Sequence, residues 1–119
     1  MWQKLRATQE LEFLVLTLSE ADAGSRPDVR VGDQVVVELA EKPTTGYRWQ
    51  VDVDTARARV VDDTFLSASD AMGAPGRRRL TFEVLQAGAV DIRLRNARSW
   101  DPENAVGEFS VTLEAAAAS

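Results

Sequence analysis

The 119-residue sequence contains no cysteine and no histidine. Thiol nucleophiles, disulfides, zinc sites with nitrogen or sulfur ligands and histidine-based triads are therefore excluded. No apolar run approaches the ~20 residues that a transmembrane helix needs, so we expect no membrane partner. No loop has the ligand spacing of an EF-hand, and no pair of carboxylates is spaced as in a hydrolase. We therefore expect neither an enzyme nor a bound metal or other cofactor.

Positive charge is also scarce. The chain has 14 Lys and Arg against 19 Asp and Glu, which gives a formal net charge of -5. Such a chain is not drawn to phosphate backbones, so nucleic acid is not an expected partner. The exception is the run Arg77-Arg78-Arg79. It is either an electrostatic patch for an acidic partner or, as we favour, a set of solvated charges at the start of a strand.

Alternation of apolar and polar residues with a period of two recurs along most of the chain. It is clearest in Gln34–Ala40, Tyr47–Val53, Leu80–Val84, Val90–Leu94 and Phe109–Leu113. A less regular stretch at Ala58–Phe65 is predicted to be a short edge strand. Strands with one apolar and one polar face are typical of antiparallel sheets. The sequence therefore predicts an all-β sandwich or small barrel.

We expect a single domain over residues 1–119, with 1–10 as a peripheral N-terminal extension and 115–119 as a tail. The apolar segment Leu11–Leu18 follows Lys4 and Arg6 and could be part of a signal peptide. However, Glu10 and Glu12 interrupt the approach to it, so we favour a first strand. The default expectation is then a cytoplasmic location, with a periplasmic or secreted one as the alternative.

One connection between two predicted strands is unusually stiff for its length. Pro43 fixes its own φ, while Thr44 and Thr45 are β-branched and have restricted χ1 angles. Gly46 permits a positive φ before the chain enters a strand at Tyr47. A stiff loop has less conformational freedom to lose on association, so the segment is suited to binding. The alternative is a plain turn, because Pro and Gly are common turn residues.

Three segments of the chain carry a resemblance to a known family. Pro43-Thr44-Thr45-Gly46-Tyr47, followed by Trp49, resembles the signature of the chagasin-like inhibitors of papain-type cysteine peptidases. Gly73-Ala74-Pro75-Gly76 resembles the glycine-rich loop of that family, and Arg98-Ser99-Trp100 resembles its Arg-Pro-Trp loop. We call these segments loop 1 (Pro43–Tyr47), loop 2 (Gly73–Gly76) and loop 3 (Arg98–Trp100). They occur in the family's order, and the resemblance spans roughly Val31–Leu113.

The resemblance implies an immunoglobulin-like antiparallel β-sandwich and a monomeric, reversible inhibitor of papain-family cysteine endopeptidases. Thr44, Thr45 and Gly46 would lie over the catalytic thiolate of the peptidase. Loop 2 would run beside the cleft and offer backbone hydrogen bonds, while Trp100, with Arg98 nearby, would lie on the opposite side. The alternatives are a non-inhibitory protein-binding module on the same scaffold and, less favoured, a structural adhesion-type domain.

Individual aromatic and charged residues have competing interpretations. We predict that Trp49 packs in the core and that Trp100 is exposed, because Trp100 lies outside the apolar register of its neighbours. Tyr47 and Arg98 could serve either in packing and solvation or in contact with a partner. The chain departs from the family at Lys42, where the family has Asn, at Pro75 within the glycine loop, and at Ser99 in place of proline. These departures are expected to lower potency or shift the target without abolishing the binding mode.

Overall fold

The computed structural model describes residues 2–6, 12–67 and 76–118, and within these ranges the chain forms nine strands and two short 3-10 turns. The strands are β1 (Trp2–Arg6), β2 (Glu12–Leu18), β3 (Asp28–Arg30), β4 (Gln34–Glu41), β5 (Tyr47–Val53), β6 (Ala58–Ser67), β7 (Gly76–Val84), β8 (Gly88–Arg98) and β9 (Gly107–Ala116). The turns span Glu20–Asp22 and Pro43–Thr45. The described part of the chain has no helix that is long and apolar enough to cross a membrane.

Two sheets form the predicted sandwich. The first sheet has the strand order β1-β2-β4-β7-β6, and the second has the order β3-β9-β8-β5. Most neighbouring strands are antiparallel, as predicted, but β2 with β4 and β3 with β9 are parallel. Between β2 and β4 the chain crosses to the second sheet to form β3, and it then re-enters the first sheet in the original direction. Alternation of side chains reports the faces of a strand and not its direction, so the sequence could not reveal these two pairs.

The core lies between the sheets and includes the residues that the alternation placed on the apolar faces of β7, β8 and β9. Four strands supply most of it, through Val35, Val37 and Leu39 of β4, Leu80, Phe82 and Val84 of β7, Val90, Ile92 and Leu94 of β8, and Phe109, Val111 and Leu113 of β9. All of these side chains are at most 3% exposed. The apolar faces predicted from sequence are therefore confirmed for β7, β8 and β9, whereas the sequence had identified β4 as a strand without assigning its inward face.

The edge strands are less buried. On β5, Trp49 and Val53 pack against the core but are only partly buried, and Val51 is 36% exposed. β5 has a hydrogen-bonded neighbour on one side only, so its inward face is not fully covered. At the edge of the first sheet, β6 is longer than predicted and has a bulge between Val60 and Asp62. Bulges of this kind are common on edge strands, where they discourage pairing with another molecule.

The run of three arginines belongs to the ion-pair network of the first sheet. Arg77 pairs with Glu20 and Glu38, and Arg79 pairs with Glu38. Arg78 pairs with Glu41 and Asp63. All three guanidinium groups are therefore engaged within the protein, and the interpretation of the run as a free patch for an acidic partner is wrong.

We expect Phe82→Ala to lower the free energy of unfolding by about 3–5 kcal/mol, because it leaves a cavity at the centre of a fully buried cluster. Urea denaturation monitored by circular dichroism measures the change. The matched control is Val61→Ala on the edge strand, where the side chain is 42% exposed and the expected change is under ~0.5 kcal/mol. Equal losses in the two variants would contradict the core assignment.

Candidate functional site

The strand pairing brings the connections that contain the three loops to one end of the sandwich. Glu41 at the end of β4 pairs with Gly76 at the start of β7, which pairs in turn with Ser67 at the end of β6. In the second sheet, Tyr47 at the start of β5 pairs with Arg98 at the end of β8. Loop 1 joins these two sets of strand ends. We call this end of the molecule the rim.

Loop 2 lies largely outside the described residues. Gly73, Ala74 and Pro75 are among those that the structure does not describe, whereas Gly76 is the first residue of β7 and is buried. A Cβ atom at Gly76 would overlap the Phe65 ring and the carbonyl oxygen of Leu66. Gly76 therefore has a packing role in the structure, and the contribution of loop 2 to binding stays a prediction.

Loop 1 is held in shape by its own hydrogen bonds. After Lys42, residues Pro43–Thr45 form a 3-10 turn, and Gly46 ends the turn with φ +80°. The Thr45 hydroxyl donates to the carbonyl oxygen of Lys42 at 2.8 Å and accepts from the backbone N–H of Tyr47 at 3.2 Å. Lys42 makes no side-chain cap, so the threonine, and not the residue that replaces the family's asparagine, braces the turn. The Thr44 and Thr45 side chains are exposed.

Loop 3 packs directly against loop 1. Trp100 is 72% exposed, as predicted, yet its ring lies so close to Gly46 that a Cβ atom there would be 2.9 Å from Cη2. The turn that carries Trp100 is closed by the N–H of Asp101, which donates to the Arg98 carbonyl oxygen at 3.0 Å. Asn104 donates from its side chain to both carboxylate oxygens of Asp101 at 2.9 Å. Ser99 is exposed in the same turn.

Arg98 connects the two loops. Its Nε donates to the carbonyl oxygen of Thr45 at 3.2 Å, and its guanidinium group lies 4.4 Å from the centroid of the Tyr47 ring. The same group lies 5.9 Å from the centroid of the Trp100 ring, within the range of a cation–π interaction. Arg98 and Tyr47 are both half-buried. Arg98 is therefore a structural link at the rim rather than a solvated surface charge.

Beneath loop 1, a buried carboxylate joins the two sheets. Glu41 is 2% exposed and follows the inward register of Val35, Val37 and Leu39. Its Oε1 accepts from the backbone N–H of Trp49 at 2.9 Å, while Oε2 accepts from the Nε and one terminal nitrogen of Arg78 at 3.0 and 2.7 Å. The Trp49 indole N–H also donates to the Ala40 carbonyl oxygen at 2.8 Å. Loop 1 therefore begins and ends on fixed backbone.

Arg78 is the cationic partner of this site. Its other terminal nitrogen donates to Asp63 at 3.0 Å, and its guanidinium group lies 5.6 Å from the centroid of the Phe65 ring. Burial tends to lower the pKa of Arg78, but hydrogen bonds and attraction from Glu41 and Asp63 outweigh it, so the pKa is raised above its usual value. Arg78 thus stays charged wherever the protein is folded, and Glu41 retains its partner.

A second carboxylate supports β4 from outside the core. Glu20 accepts from the backbone N–H of Ala40 at 2.7 Å and from Arg77 at 2.8 Å. Burial tends to raise the pKa of Glu20, but these hydrogen bonds and the charge of Arg77 lower it below its usual value. The group therefore stabilises the fold at neutral pH, and this contribution is lost as the pH falls through the lowered pKa.

Sequence reasoning assigned no role to Glu41 and interpreted Arg78 only as part of a run of solvated charges at the start of a strand, whereas its side chain is 15% exposed and paired with Glu41. The signal that could have revealed the pair is the position of both residues in the inward-facing register of their strands. Glu41 continues the apolar positions 35, 37 and 39 of β4, and Arg78 precedes the apolar positions 80, 82 and 84 of β7. Two inward-facing residues of opposite charge at the same end of adjacent strands are expected to pair, because a buried charge without a partner is very unfavourable.

The rim also borders a recess. It has a volume of about 540 Å³. Its lining comes from loops 1 and 3, from residues 48–50 of β5, and from Asp63 of β6 and Arg78 of β7. Trp49, Trp100 and Gly46 contribute apolar surface, while Arg48, Arg78 and Asp63 contribute charge. No cluster of acidic side chains able to hold a metal ion occurs in the described ranges. The described part of the rim therefore offers both apolar and charged surface for contact with another molecule.

A sandwich of two sheets with connecting loops gathered at one end is typical of immunoglobulin-like proteins. The fold is similar to the crystal structure of the cysteine protease inhibitor EhICP2 from Entamoeba histolytica, with a TM-score of 0.78, 21% identity, and coverage of 86% of this chain and 96% of that chain. The structure thus has the immunoglobulin-like fold that the resemblance implied.

Residues 28–114 match the family model described as Chagasin family peptidase inhibitor I42, and the chain belongs to this family. It is 29% identical to chagasin of Trypanosoma cruzi over 105 residues, which cover 82% of this chain and 96% of chagasin. It is also 25% identical to amoebiasin-2 of Entamoeba histolytica over 87 residues, or 71% of each chain. This is a family of inhibitors and not of enzymes, in agreement with the expectation from composition.

We expect Glu41→Gln to lower the free energy of unfolding by about 3 kcal/mol, because it removes one charge of a buried pair and leaves Arg78 with Asp63 alone. The control is Glu38→Gln on the same strand, where the partly exposed pairs with Arg77 and Arg79 predict a loss under ~1 kcal/mol. Urea denaturation of the two variants measures the difference. A loss of the same size in both would show that Glu41 is not the connection between the sheets.

Gly46→Ala is expected to move Trp100 as well as to strain the turn. A residue with a Cβ at positive φ costs about 1–2 kcal/mol, and the new methyl group would also meet the indole. Gly24→Ala is the control, because Gly24 has φ +82° and nothing within 4 Å of the added atom. Both variants should lose similar backbone stability in urea. In ¹H–¹⁵N spectra, only Gly46→Ala should shift the Trp100 indole resonance; an unshifted resonance would contradict the contact.

Proposed function

We propose that this chain is a reversible inhibitor of papain-like cysteine endopeptidases and that it blocks the active-site cleft with its rim. Membership of the chagasin family supports the inhibitory activity. The observation that carries the mode of action is the contact between Gly46 and the exposed Trp100, because it makes loops 1 and 3 one continuous projecting surface.

The chemistry of loop 1 suits it to occupy a cleft without reacting. Its Thr45 hydroxyl is already committed to Lys42 and Tyr47, so the loop has little conformational freedom to lose on insertion. The tip offers threonine methyl groups and hydroxyls and has no charge to desolvate. A cysteine peptidase attacks a peptide carbonyl with its thiolate, and a stiff loop that does not present a carbonyl in that geometry is not cleaved.

Inhibition of this kind is non-covalent. The chain has no cysteine, so it cannot form a mixed disulfide with the thiolate of the peptidase. Affinity must then come from buried contact area and from a few anchor residues. Trp100 is the anchor that we assign to loop 3, since tryptophan is among the residue types that most often dominate interface energies. Arg98 holds it in position through Tyr47 and Thr45.

Loop 2 completes the proposal. Its segment begins after Ser67 and ends at Gly76, beside Glu41 and therefore beside the start of loop 1. From there, Gly73, Ala74 and Pro75 would run along one wall of the cleft and offer backbone hydrogen bonds as an extended substrate does. Loops 2 and 3 would then contact opposite walls, with loop 1 between them over the catalytic residue.

Titration into papain with a fluorogenic substrate tests the proposal. We expect tight, reversible inhibition, and we expect Trp100→Ala to raise the inhibition constant about 30-fold, which corresponds to the ~2 kcal/mol of a typical anchor residue. Thr45→Asp should raise it at least ~10-fold, because it brings a charge to a loop tip that becomes desolvated. Val61→Ala, on the edge strand away from the rim, is the control. No inhibition by the unaltered protein at micromolar concentration would favour a non-inhibitory binding module.

A further inference from the structure

Two groups of cationic side chains can be distinguished in the described part of the protein. Most of those described are in ion pairs with acidic side chains, namely Arg26, Arg57, Arg59, Arg77, Arg78, Arg79 and Arg95. For Lys42, Arg48, Arg93 and Arg98, the described part of the structure contains no ion pair. In a protein with a net charge of -5, a cation without an acidic partner is an unusual feature.

Three of these four unpaired cations lie at the rim. Lys42 immediately precedes the loop 1 turn, Arg48 is the second residue of β5, and Arg98 is the last residue of β8. Arg98 is committed to Thr45 and to the rings of Tyr47 and Trp100. Lys42 and Arg48 are exposed and make no such contacts in the described part of the chain, so both remain available to a partner.

The acidic side chains at the rim, in contrast to Lys42 and Arg48, are mostly engaged by other residues or lie on the loop 3 side. Asp63 is paired with Arg78, and Asp101 accepts both of its side-chain hydrogen bonds from Asn104. Glu103 is exposed, but it lies beyond Trp100 in the connection from β8 to β9. Asn104 is neutral, so Asp101 and Glu103 keep their negative charges on the loop 3 side of the rim, whereas Lys42 and Arg48 place positive charge beside loop 1.

We propose that Lys42 and Arg48 form a cationic edge beside loop 1 that favours papain-like peptidases whose clefts are flanked by acidic side chains. This inference rests on the proposed function, since it describes how the same rim selects among targets. Complementary charge at the edge of an interface acts mainly on the rate of association and on the choice of partner, and it is screened by salt. Arg48 also lines the recess beside Trp100, where an acidic side chain of the peptidase could approach it.

The test compares two arginines that differ in position alone. Arg48 and Arg93 are both exposed residues of the second sheet without an ion pair in the described ranges, and reversal of either changes the net charge by the same amount. Arg48 pairs across the strands with Ala97, four residues along β8 from Arg93, which places them about 13 Å apart along the strand direction. Association rate constants of Arg48→Glu and Arg93→Glu are measured by stopped flow with a papain-family peptidase of acidic cleft surroundings.

At ~0.1 M salt, where the Debye length of ~10 Å is shorter than the separation of the two arginines, Arg48→Glu should slow association about threefold to fivefold, and Lys42→Glu should have an effect of similar direction. Arg93→Glu should stay within about twofold of the unaltered protein, and at ~0.5 M salt all variants should converge. Equal rates for Arg48→Glu and Arg93→Glu, or a loss that persists at high salt, would overturn the inference. Both results presuppose inhibition by the unaltered protein, so its absence identifies a failure of the proposed function instead.

Discussion

The position of the rim depends on one buried carboxylate. Glu41 takes its hydrogen bonds from β5 through the Trp49 N–H and from β7 through Arg78, so a single side chain connects three strands from both sheets. Because burial of a carboxylate is very unfavourable without such partners, the arrangement tolerates little displacement of any of the three strands. Loop 1 leaves β4 directly after this residue, and its starting point is therefore fixed before any partner is bound.

The interior of the sandwich is apolar along most of its length and becomes a buried ion pair near the rim. This change explains how a small protein can present polar loops that remain well ordered. Leu39 of β4 and Leu80 of β7 are almost fully buried. The next inward-facing residues toward the rim are Glu41 on β4 and Arg78 on β7. Above this pair, order is maintained by Arg98, which reaches from β8 to the Thr45 carbonyl and to two aromatic rings. Apolar burial thus stabilises the fold, while directional hydrogen bonds set the shape of the binding surface.

The sequence predicted the parts of the molecule that follow from local pattern. The core faces of β7, β8 and β9 followed from alternation, and the exposure of Trp100 followed from its break with that alternation. The parallel pairing of β2 with β4 could not be predicted from the sequence, because a crossover through the other sheet leaves no local sequence pattern. The link made by Arg98 was also hidden, since it depends on residues 53 positions apart that only the fold brings together. The Glu41–Arg78 pair was accessible in principle, through the register of two charged residues on apolar faces.

The departures from the family motif leave the shape of loops 1 and 3 intact but change the charge beside loop 1. Lys42 replaces an asparagine, yet the turn is braced by the Thr45 hydroxyl, so the shape of loop 1 does not depend on that substitution. Ser99 replaces a proline, yet the turn is closed by the Asp101 N–H, and Trp100 is supported by Gly46. What Lys42 does change is the charge beside loop 1, where it adds to that of Arg48, which has no ion pair among the residues that the structure describes. If the loops act as we propose, they would keep the geometry that fills a cleft while the residues around them vary the charge, and variation at such positions would alter the preferred partner more than the mode of binding.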